Sequence, residues 1–339
     1  MKTAVVILNW NGKKFLQQFL PGVLKNSDTH ARVIVADNCS EDGSVEYLRS
    51  HFPDVPVIQN EINGGFAKGY NDALRSVEAE YYVLLNSDIE VTPGWIEPVI
   101  EMMDKDPLIA ACQPKLLSWH NRDEFEYAGG AGGFIDKYGY PFCRGRLFQS
   151  LEKDTGQYDD ACEVFWATGA CMFVRASVYK ELGGLDERFF AHMEEIDFCW
   201  RAKNAGYRIM YCPGSTVYHI GAGTLPRKSW RKTYYNMRNN NIMLFKNLTP
   251  DRIFRVFAAR IFLDIVAAIK FLIDGGIRNF FAVLRAHWKF FRMAPQLRKE
   301  RKERTIHPVS KIYNKNLVVE YFLKRKKRFS DLNPGKFSR

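Results

Sequence analysis

Two carboxylates closely follow short apolar runs in the sequence, a position at which α/β proteins often have ligand-binding groups. The run Tyr81–Leu85 leads into Asn86-Ser87-Asp88, and the run Arg32–Ala36 leads into Asp37. A short, continuous apolar run is typical of a strand that is buried on both faces of a parallel sheet. Open α/β sheets bind their ligands at the carboxyl ends of such strands. The alternative for Asp88 is a turn or helix-cap acid ahead of the following Thr-Pro-Gly segment.

The segments that position these acids alternate between strand and helix, which predicts a parallel sheet with helices on both faces. The predicted strands are Thr3–Leu8, Arg32–Ala36, Val55–Gln59 and Tyr81–Leu85. Polar or glycine-rich loops follow all four, with Asn9, Asp37, Gly64-Gly65 and Asp88. Because these loops lie on one edge of the sheet, we expect them to form a single ligand site.

The absence of two nucleotide-binding motifs limits the classes of ligand that this site could bind. The first strand is not followed by G-x-G-x-x-G, which disfavours a dinucleotide site, and no G-x-x-x-x-G-K-[ST] loop is present to hold a triphosphate. Asp37 is then placed to hydrogen-bond a base or a ribose. Asp88 is placed to hold Mg²⁺ or Mn²⁺ bridging a diphosphate, because these cations prefer oxygen ligands.

Four ordered motifs resemble those of the family 2 glycosyltransferases, which have the GT-A fold. They are Val5–Asn9, Asp37–Ser44, Asn63–Asn71 and Asn86–Asp88. The resemblance implies an α/β fold with a mostly parallel sheet flanked by helices. It also implies a GT-A domain at 1–225, with a nucleotide-binding half at about 1–115 and an acceptor half at about 116–225. A nucleotide-diphosphate sugar would be the donor, bound by Asn9, Asp37, Asn63, Gly65, Asn71 and Asp88.

The family's D-x-D motif is present here as Asn86-Ser87-Asp88, a variant that its rhamnosyltransferase-like members often share. The resemblance implies Asp88 as a ligand of Mg²⁺ or Mn²⁺, with His219 as a second contact to the metal or the diphosphate. The missing first carboxylate predicts a weaker or more nucleotide-dependent metal site. A structural histidine at a strand end is the alternative for His219.

An acidic cluster in the acceptor half resembles the family's catalytic-base segment. The segment Phe165–Arg175, predicted as a strand, contains Trp166 and Gly169, and further on lie Glu194, Glu195 and Asp197. On a helix, Asp197 and Arg201 form a favourable i,i+4 ion pair, so Asp197 is predicted to be structural, with Glu194 supporting that face. Glu195 points about 100° away from Glu194 and matches the family's base. The alternative is a solvated acidic cluster at a helix N-terminus.

The acceptor side would therefore include Trp166, Gly169, Glu194 and Asp197, with Glu195 as the general base. The segment Tyr235–Asn239 matches a "Y-x-x-R-N" pattern of the family. No Q-x-x-R-W motif is present, which favours addition of one sugar over processive synthesis of a polysaccharide.

The positive charge of the chain is concentrated C-terminal to the predicted catalytic domain. Residues 251–339 carry 22 Lys+Arg against 7 Asp+Glu, out of totals of 49 and 38. After a linking segment at 226–250, we expect 251–339 to be a basic amphipathic helical region, broken at Gly275-Gly276. Its polar stripe would run through Arg260, Asp264, Asp274, Arg278, Arg285, Lys289 and Arg292.

This region has no charge-free run long enough to span a bilayer, and its apolar face suits a membrane interface. Lys324–Arg328 would add attraction to anionic lipid. The alternative is a helical pair packed on the body. A nucleic-acid partner is not expected, because no RNA-binding motif accompanies the charge. The N-terminus lacks a signal-peptide pattern and Cys112, Cys171 and Cys212 look like core residues of a reducing compartment, so we expect a cytoplasmic protein associated peripherally with the membrane.

Together these features predict an inverting, metal-assisted transfer of one sugar from a nucleotide-diphosphate sugar to a hydroxyl of a lipid-linked glycan, as in the assembly of cell-surface polysaccharides. Two alternatives remain from the sequence: a sugar-phosphate nucleotidyltransferase of related architecture, and a membrane-bound sugar-binding protein without turnover.

Overall fold

The computed structural model describes residues 1–27, 30–221 and 229–339. Its first part follows the predicted alternation of strands and helices. The elements are β1 (Thr3–Asn9), α1 (Lys13–Ser27), β2 (Arg32–Asp37), α2 (Ser44–His51), β3 (Val57–Gln59), α3 (Gly65–Leu74), β4 (Tyr81–Asn86), β5 (Ile89–Val91), α4 (Glu97–Lys105) and β6 (Ile109–Ser118).

The second part is richer in short strands and ends in long helices. Its elements are β7 (Gly133–Asp136), β8 (Pro141–Cys143), β9 (Arg146–Leu147), β10 (Ser150–Leu151), β11 (Cys162–Val164), β12 (Cys171–Arg175), α5 (Ala176–Glu181), α6 (Glu194–Asn204), β13 (Arg208–His219), α7 (Trp230–Asn247), α8 (Pro250–Ile273), α9 (Ile277–Lys302) and β14 (Ile312–Tyr313). A π-helical turn at Val319–Leu323 and 3₁₀ turns at Phe329–Asp331 and Pro334–Lys336 follow.

The main sheet has the strand order β11-β13-β6-β12-β4-β1-β2-β3, and β5 pairs with β13. Strands β3, β2, β1 and β4 are parallel, whereas β12 is antiparallel to both β4 and β6. Alternate side chains of β1 enter two separate apolar layers: Ala4 and Val6 pack on one face, and Val5 and Ile7 on the other. This mixed α/β sheet, covered by helices on both faces, confirms the predicted fold class.

One predicted strand is shorter than expected. The segment Phe165–Arg175 was predicted as a continuous strand, but β12 begins only at Cys171. Before it, Phe165 and Trp166 hydrogen-bond to Gly133 of the second sheet. The chain therefore crosses from one sheet to the other before it joins β12.

The long helices of the C-terminal region end at Lys302 and only single π-helical and 3₁₀ turns follow, so the prediction of a helical region through residue 339 is wrong beyond that point. A second sheet has the order β10-β9-β8-β7-β14. The chain after α9 joins this sheet through the parallel pairing of β14 with β7. Phe329 and Phe337 pack against Phe134 of β7, with ring centroids 5.1 and 5.3 Å away. The last thirty or so residues are thus part of the body. The expected domain boundary at 225/226 lies outside the described residues.

The helical pair α8–α9 packs on the body with part of its polar stripe inward. Arg260 and Asp264 are 2% and 0% exposed. Asp264 lies 2.9 Å from the Arg260 guanidinium and 3.1 Å from His287 Nε2 on α9. The guanidinium also stacks 4.2 Å above the ring of Tyr140. This buried ionic cluster joins both helices to the second sheet.

Large apolar side chains of the pair consequently face outward. Those exposed by about half or more include Phe254, Phe262, Ile265, Val266, Ile269, Leu272, Ile273, Ile277, Phe281, Leu284, Trp288 and Phe291, which together we call the outer apolar face. No helix within the described residues is both long enough and apolar enough to cross a bilayer. Cys112, Cys171 and Cys212 are buried and unpaired, which confirms them as core residues.

Asp264→Asn should destabilise the fold far more than Asp274→Asn. Both acids lie at the end of an i,i+4 ion pair, but the Lys270–Asp274 pair is exposed. Loss of the Asp264 charge leaves Arg260 buried without its partner, which costs about 3 kcal/mol, whereas an exposed pair contributes less than about 1 kcal/mol. Urea unfolding of the two variants measures the difference. Equal losses would show that the buried cluster does not hold the helices.

Candidate active site

The donor edge is formed where β1 and β2 end side by side. Their register places Asn9 opposite Asp37. Asn9 Nδ2 donates to Asp37 Oδ1 at 2.9 Å, and the backbone N–H of Ser40 donates to Asp37 Oδ2 at 2.9 Å. A carboxylate can accept about four hydrogen bonds, so each oxygen of Asp37 keeps capacity for a ligand hydroxyl. Asn9 is fully buried and acts here by orienting Asp37.

The glycine-rich segment joins this edge to the acceptor half. Asn63 Oδ1 accepts hydrogen bonds from Asn38 Nδ2 and from the N–H of Gly65. Gly65 has φ +79°, and a Cβ there would lie 2.1 Å from the carbonyl oxygen of Phe190. Only glycine therefore permits this approach, in which the N–H of Phe66 donates to that carbonyl at 2.8 Å.

Asn71 is placed as a brace between the two halves. Its Oδ1 accepts from Tyr179 Oη at 2.7 Å and from the N–H of Leu185, and its Nδ2 donates to the Leu185 carbonyl at 2.8 Å. The amide is thus engaged by the Gly183–Glu187 loop. This geometry gives Asn71 a positioning role in place of the expected direct contact with the donor.

Asp88 and His219 meet because β5 pairs with β13. The register sets His219 opposite Ile89, the residue after Asp88. His219 Nε2 lies 3.2 Å from Asp88 Oδ1, and Nδ1 lies 3.4 Å from Oε1 of Glu126. All three side chains are buried. Sequence reasoning missed Glu126, which precedes His219 by almost a hundred residues and belongs to no motif.

These groups control one another's ionisation. Burial alone would lower the pKa of His219, but the two carboxylates raise it to about 10. Burial opposes ionisation of Asp88, yet the His219 charge and hydrogen bond hold the pKa of Asp88 below its usual value. Without a metal, His219 is therefore a buried cation between two carboxylates, and a metal ion could bind its Nε2 only after that nitrogen has lost its proton.

Asp88 and His219 fit a divalent cation as two of its ligands. Adjacent ligands of octahedral Mg²⁺, each at about 2.1 Å, lie about 3 Å apart, close to the observed separation. Within the described part of the chain, no set of three His, Cys, Asp or Glu side chains is arranged to hold a metal ion. Diphosphate oxygens and water would therefore supply the other ligands. Glu126 faces the second ring nitrogen, where a carboxylate orients a metal-bound imidazole.

The acidic pair begins α6 after a strained turn. His192 and Met193 have φ of +72° and +76°, which is uncommon for residues other than glycine. Asn239 of α7 donates from Nδ2 to the carbonyls of Ala191 and His192, at 2.9 and 2.8 Å. The Asn of the Y-x-x-R-N segment therefore holds the turn that presents Glu194 and Glu195.

Glu194 and Glu195 are not a solvated cluster. Glu194 is only 5% exposed, and the Oε2 atom of each glutamate is buried with no hydrogen-bond partner among the described residues. Burial raises the pKa of Glu195 to about 7. Burial and the neighbouring Glu195 charge raise the pKa of Glu194 well above its usual value. Buried acids with raised pKa values are typical of catalytic sites.

Asp197 has the structural role expected of it. Its carboxylate accepts from Arg201 Nε at 2.9 Å, from Lys246 Nζ at 2.8 Å and from Asn247 Nδ2 at 2.8 Å. The Arg201 pair is the predicted i,i+4 contact. Lys246 and Asn247 come from α7 and were not predicted. Glu194 makes no hydrogen bond or ion pair with Arg201, so the prediction that it supports this pair is wrong.

Gly169 brings the acids close to the donor edge, whereas Trp166 lies deeper. A Cβ on Gly169 would lie 2.9 Å from the ring of Phe66 and 3.7 Å from Cβ of Glu195. The next carbonyl, that of Ala170, accepts from the N–H of Asn86 at 2.9 Å. Trp166 is buried and donates from Nε1 to the Phe134 carbonyl, which makes it part of the second-sheet core.

A separate cavity of about 700 Å³ lies at the opposite edge of the sheet, around the amino ends of β1 and β2. None of the predicted site residues lines it. The acids, the glycine approaches and the Asp88–His219 pair all lie at the other edge.

Glu195→Gln should stabilise the protein at pH 8 and have a smaller effect at pH 5. Because folding raises the pKa of Glu195, the contribution of this group to the free energy of unfolding is fully present below pH 4.5. That contribution is lost as the pH rises through about 7. A neutral Gln removes that loss, so the melting temperature at pH 8 should rise by a few degrees. Glu303→Gln, at an exposed position, is the control. A melting temperature that falls equally at both pH values would contradict the buried-carboxylate assignment.

Comparisons with known proteins agree with this geometry. The sequence profile described as "Glycosyl transferase family 2" matches residues 4–183. The chain is 24% identical over 241 residues to an N-acetylglucosaminyl-diphospho-decaprenol L-rhamnosyltransferase of Mycobacterium tuberculosis, covering 66% of this chain and 77% of that protein. It is 21% identical over 225 residues to the rhamnosyltransferase WbbL of Escherichia coli K12, covering 63% of this chain and 82% of that protein.

Solved structures show the same fold at low identity. S. aureus TarS 1-349 in complex with UDP-GlcNAc superposes with a TM-score of 0.57 at 16% identity, covering 89% of this chain and 88% of that one. GalNAc-T7 with UDP, GalNAc and Mn²⁺ gives 0.58 at 17% identity, covering 74% of this chain and 48% of that one. These are GT-A glycosyltransferases. With its profile match spanning more than half of the residues, the chain belongs to glycosyl transferase family 2.

Proposed function

We propose that this glycosyltransferase transfers a single hexose or deoxyhexose, with inversion, from a nucleotide-diphosphate sugar to a hydroxyl of a lipid-linked glycan. One observation carries the proposal. Glu195 is partly buried, has a pKa near 7 and keeps its Oε2 atom without a hydrogen-bond partner among the described residues. It lies next to Gly169, and the neighbouring Ala170 carbonyl accepts a hydrogen bond from Asn86, at the start of the Asn86-Ser87-Asp88 motif. Glu195, as the base, would therefore lie close in space to the part of the donor site that would hold the diphosphate.

In this mechanism the acceptor hydroxyl loses its proton to Glu195 as its oxygen bonds to the anomeric carbon. The bond between that carbon and the diphosphate oxygen breaks, and the nucleoside diphosphate leaves with the electron pair. A base with a pKa near the working pH is effective for such a transfer. Attack from the side opposite the leaving group inverts the anomeric configuration.

The donor would lie along the carboxyl ends of β1, β2 and β4. Asp37, oriented by Asn9, would accept hydrogen bonds from the ribose or base. Asp88 and His219 would hold Mg²⁺ or Mn²⁺, and the bound cation would neutralise charge on the departing diphosphate. Neighbouring structures contain Mn²⁺ with UDP or GDP-Man, which supports a divalent cation in this role.

The lipid-linked acceptor is supported by a named relative and by the outward apolar surface. The Mycobacterium tuberculosis relative is named for a diphospho-decaprenol acceptor. Here, the outer apolar face of α8–α9 groups many apolar side chains together, whereas exposed apolar residues on an ordinary protein surface are scattered singly. We propose that it lies at a membrane interface, and the cations of α9 would favour anionic lipid.

The predicted Lys324–Arg328 cluster contributes less free charge than expected. Lys324 and Lys326 are paired with Glu320, and Lys327 lies 3.4 Å from the ring centre of Tyr321. The segment is therefore anchored to the body. Membrane attraction in this proposal rests mainly on α8 and α9.

Glu195→Gln should leave donor affinity nearly unchanged and lower the rate of sugar transfer by about 10²–10⁴-fold. In the parent enzyme the rate should fall as the pH drops below about 7, because only the ionised base accepts a proton. Transfer kinetics with a nucleotide sugar, together with donor titration, measure both effects. Asp197→Asn is the comparison variant, because this substitution should act mainly by lowering the stability of the fold.

A small effect of Glu195→Gln on transfer, or a product with retained configuration, would overturn the single-base mechanism. Donor binding without any turnover in the parent chain would instead favour the sugar-binding alternative.

Phe262→Asp/Ile269→Asp should abolish association with vesicles of mixed phosphatidylcholine and phosphatidylglycerol. Both side chains are exposed on α8, so the fold should tolerate the change. Flotation measures association, and high salt should weaken but not remove it for the parent chain, because apolar burial is not screened. Leu108→Asp, at an exposed apolar position outside the outer apolar face, is the control. A parent chain that fails to float, or that forms a dimer through this face, would contradict the membrane role.

A further inference from the structure

Helix α9 has three faces with different chemistry. Ala282, Val283, Ala286 and Phe290 are buried against the rest of the protein. Arg278, Arg285, Lys289 and Arg292 are exposed and lie within about 60° of one another around the helix, a set we call the cation stripe. The α9 part of the outer apolar face, from Ile277 to Phe291, lies about a quarter turn beyond the stripe. The cations therefore sit between the body and the proposed membrane surface.

The cation stripe borders α7. The Arg285 guanidinium lies 5.5 Å from the ring centre of Tyr234, whose ring also faces Arg238 at 5.3 Å. Thr233 Oγ1 donates to Asn279 Oδ1 at 3.0 Å, which fixes the start of α9 against the same stretch of α7. The buried face of α9 thus packs next to α7, and the exposed cation stripe lies beside that contact, with Arg285 reaching Tyr234.

From α7 the contacts lead directly to the catalytic turn. Tyr235 stacks on Phe190, with centroids 5.5 Å apart and planes 18° from parallel. Arg238 donates to the Arg188 carbonyl at 2.7 Å, and Asn239 holds the turn ahead of Glu194. Burial and the nearby Lys232 charge lower the pKa of His192 in that turn to about 4. A series of aromatic and cationic side chains, some of them buried, therefore extends from the proposed base to the edge of the outer apolar face.

We propose that the cation stripe, centred on Arg278 and Arg285, binds the diphosphate of a lipid-linked acceptor while its sugar reaches Glu195. The proposal rests on the proposed function and identifies the acceptor class as a prenyl-diphosphate-linked saccharide. Such a molecule carries its negative charge between an apolar chain and a sugar. The protein presents the complementary order: apolar face, cations, then base.

The free charge of the stripe supports this assignment. Lys270 on α8 is neutralised by Asp274 at 2.6 Å. By contrast, the four cations of the stripe have no carboxylate of the described residues within 4.0 Å of their charged nitrogens. Arg285 and Arg292 rest on aromatic rings, which leaves their N–H groups available. Arginine forks suit diphosphate oxygens particularly well.

The test compares two double variants of the full chain that each remove two positive charges from α9. Arg278→Gln/Arg285→Gln alters the stripe, and Arg298→Gln/Lys299→Gln alters exposed positions outside the stripe, about 20 Å along the helix from Arg285. Isothermal titration with farnesyl diphosphate in neutral phosphatidylcholine vesicles gives the affinity. Farnesol supplies the same chain without the diphosphate.

We expect the stripe variant to weaken farnesyl diphosphate binding by about tenfold or more, because each substitution removes a charge-assisted hydrogen bond to the diphosphate. The control variant should bind as the parent chain does, and farnesol binding should be equal in all three. Equal losses in both variants, or no loss in the stripe variant, would overturn the proposal. So would a loss that appears only with phosphatidylglycerol vesicles, because the stripe would then recognise headgroups in general.

Failure of the proposed function would give a different result. Nucleoside diphosphate binding reports the donor site and should be unchanged in both double variants, which also shows that they are folded. If Glu195→Gln leaves transfer intact while the stripe still selects farnesyl diphosphate, the mechanism is wrong but the binding site stands. If Glu195→Gln blocks transfer and the stripe variant binds normally, only the acceptor site is wrong.

Discussion

The carboxylate of Asp197 is the contact on which the catalytic half depends. It is completely buried, and a buried charge without partners would be strongly destabilising. Arg201 lies on its own helix, whereas Lys246 and Asn247 reach it from the end of α7. Lys246 also binds Asp186, in the turn that precedes α6. This network fixes α6 against α7, and the same α7 supplies Asn239 to the strained turn before Glu194.

That anchoring explains how the site can keep two acids that each have one carboxylate oxygen buried without a hydrogen-bond partner among the described residues. The N-terminus of a helix favours negative charge, yet burial dominates at Glu194 and Glu195 and raises both pKa values. Left to itself, such a pair would favour a rearrangement that exposes the carboxylates to water. The interactions of Asp197 and Asn239 oppose that rearrangement on either side of the pair. Stability is thus concentrated beside the proposed base, Glu195, whose carboxylate remains poorly solvated.

The sequence predicted the parts of this arrangement that are local. Apolar runs placed Asn9, Asp37 and Asp88, at the ends of β1, β2 and β4, on one edge, and the i,i+4 spacing identified Asp197 with Arg201. Glu126 could not be found in this way, because only the pairing of β13 with β5 and β6 brings His219 near it. The pairing of β14 with β7 is equally non-local. Asn71 was mistaken for a donor contact because its motif is continuous with Asn63 and Gly65, although its side chain points to the Gly183–Glu187 loop.

Orientation of α8–α9 is the part that helical periodicity alone could not determine. An amphipathic pattern shows that two faces differ, but not which face meets the body. Here the orientation is set by Arg260, Asp264 and His287, which pair with one another only when the Arg260–Asp264 part of the polar stripe faces inward. Turning the pair over would bury more apolar surface, yet it would break this cluster and the stacking of Arg260 on Tyr140. Because breaking a buried ion pair is strongly destabilising, this cluster can hold the apolar side chains of the pair outward.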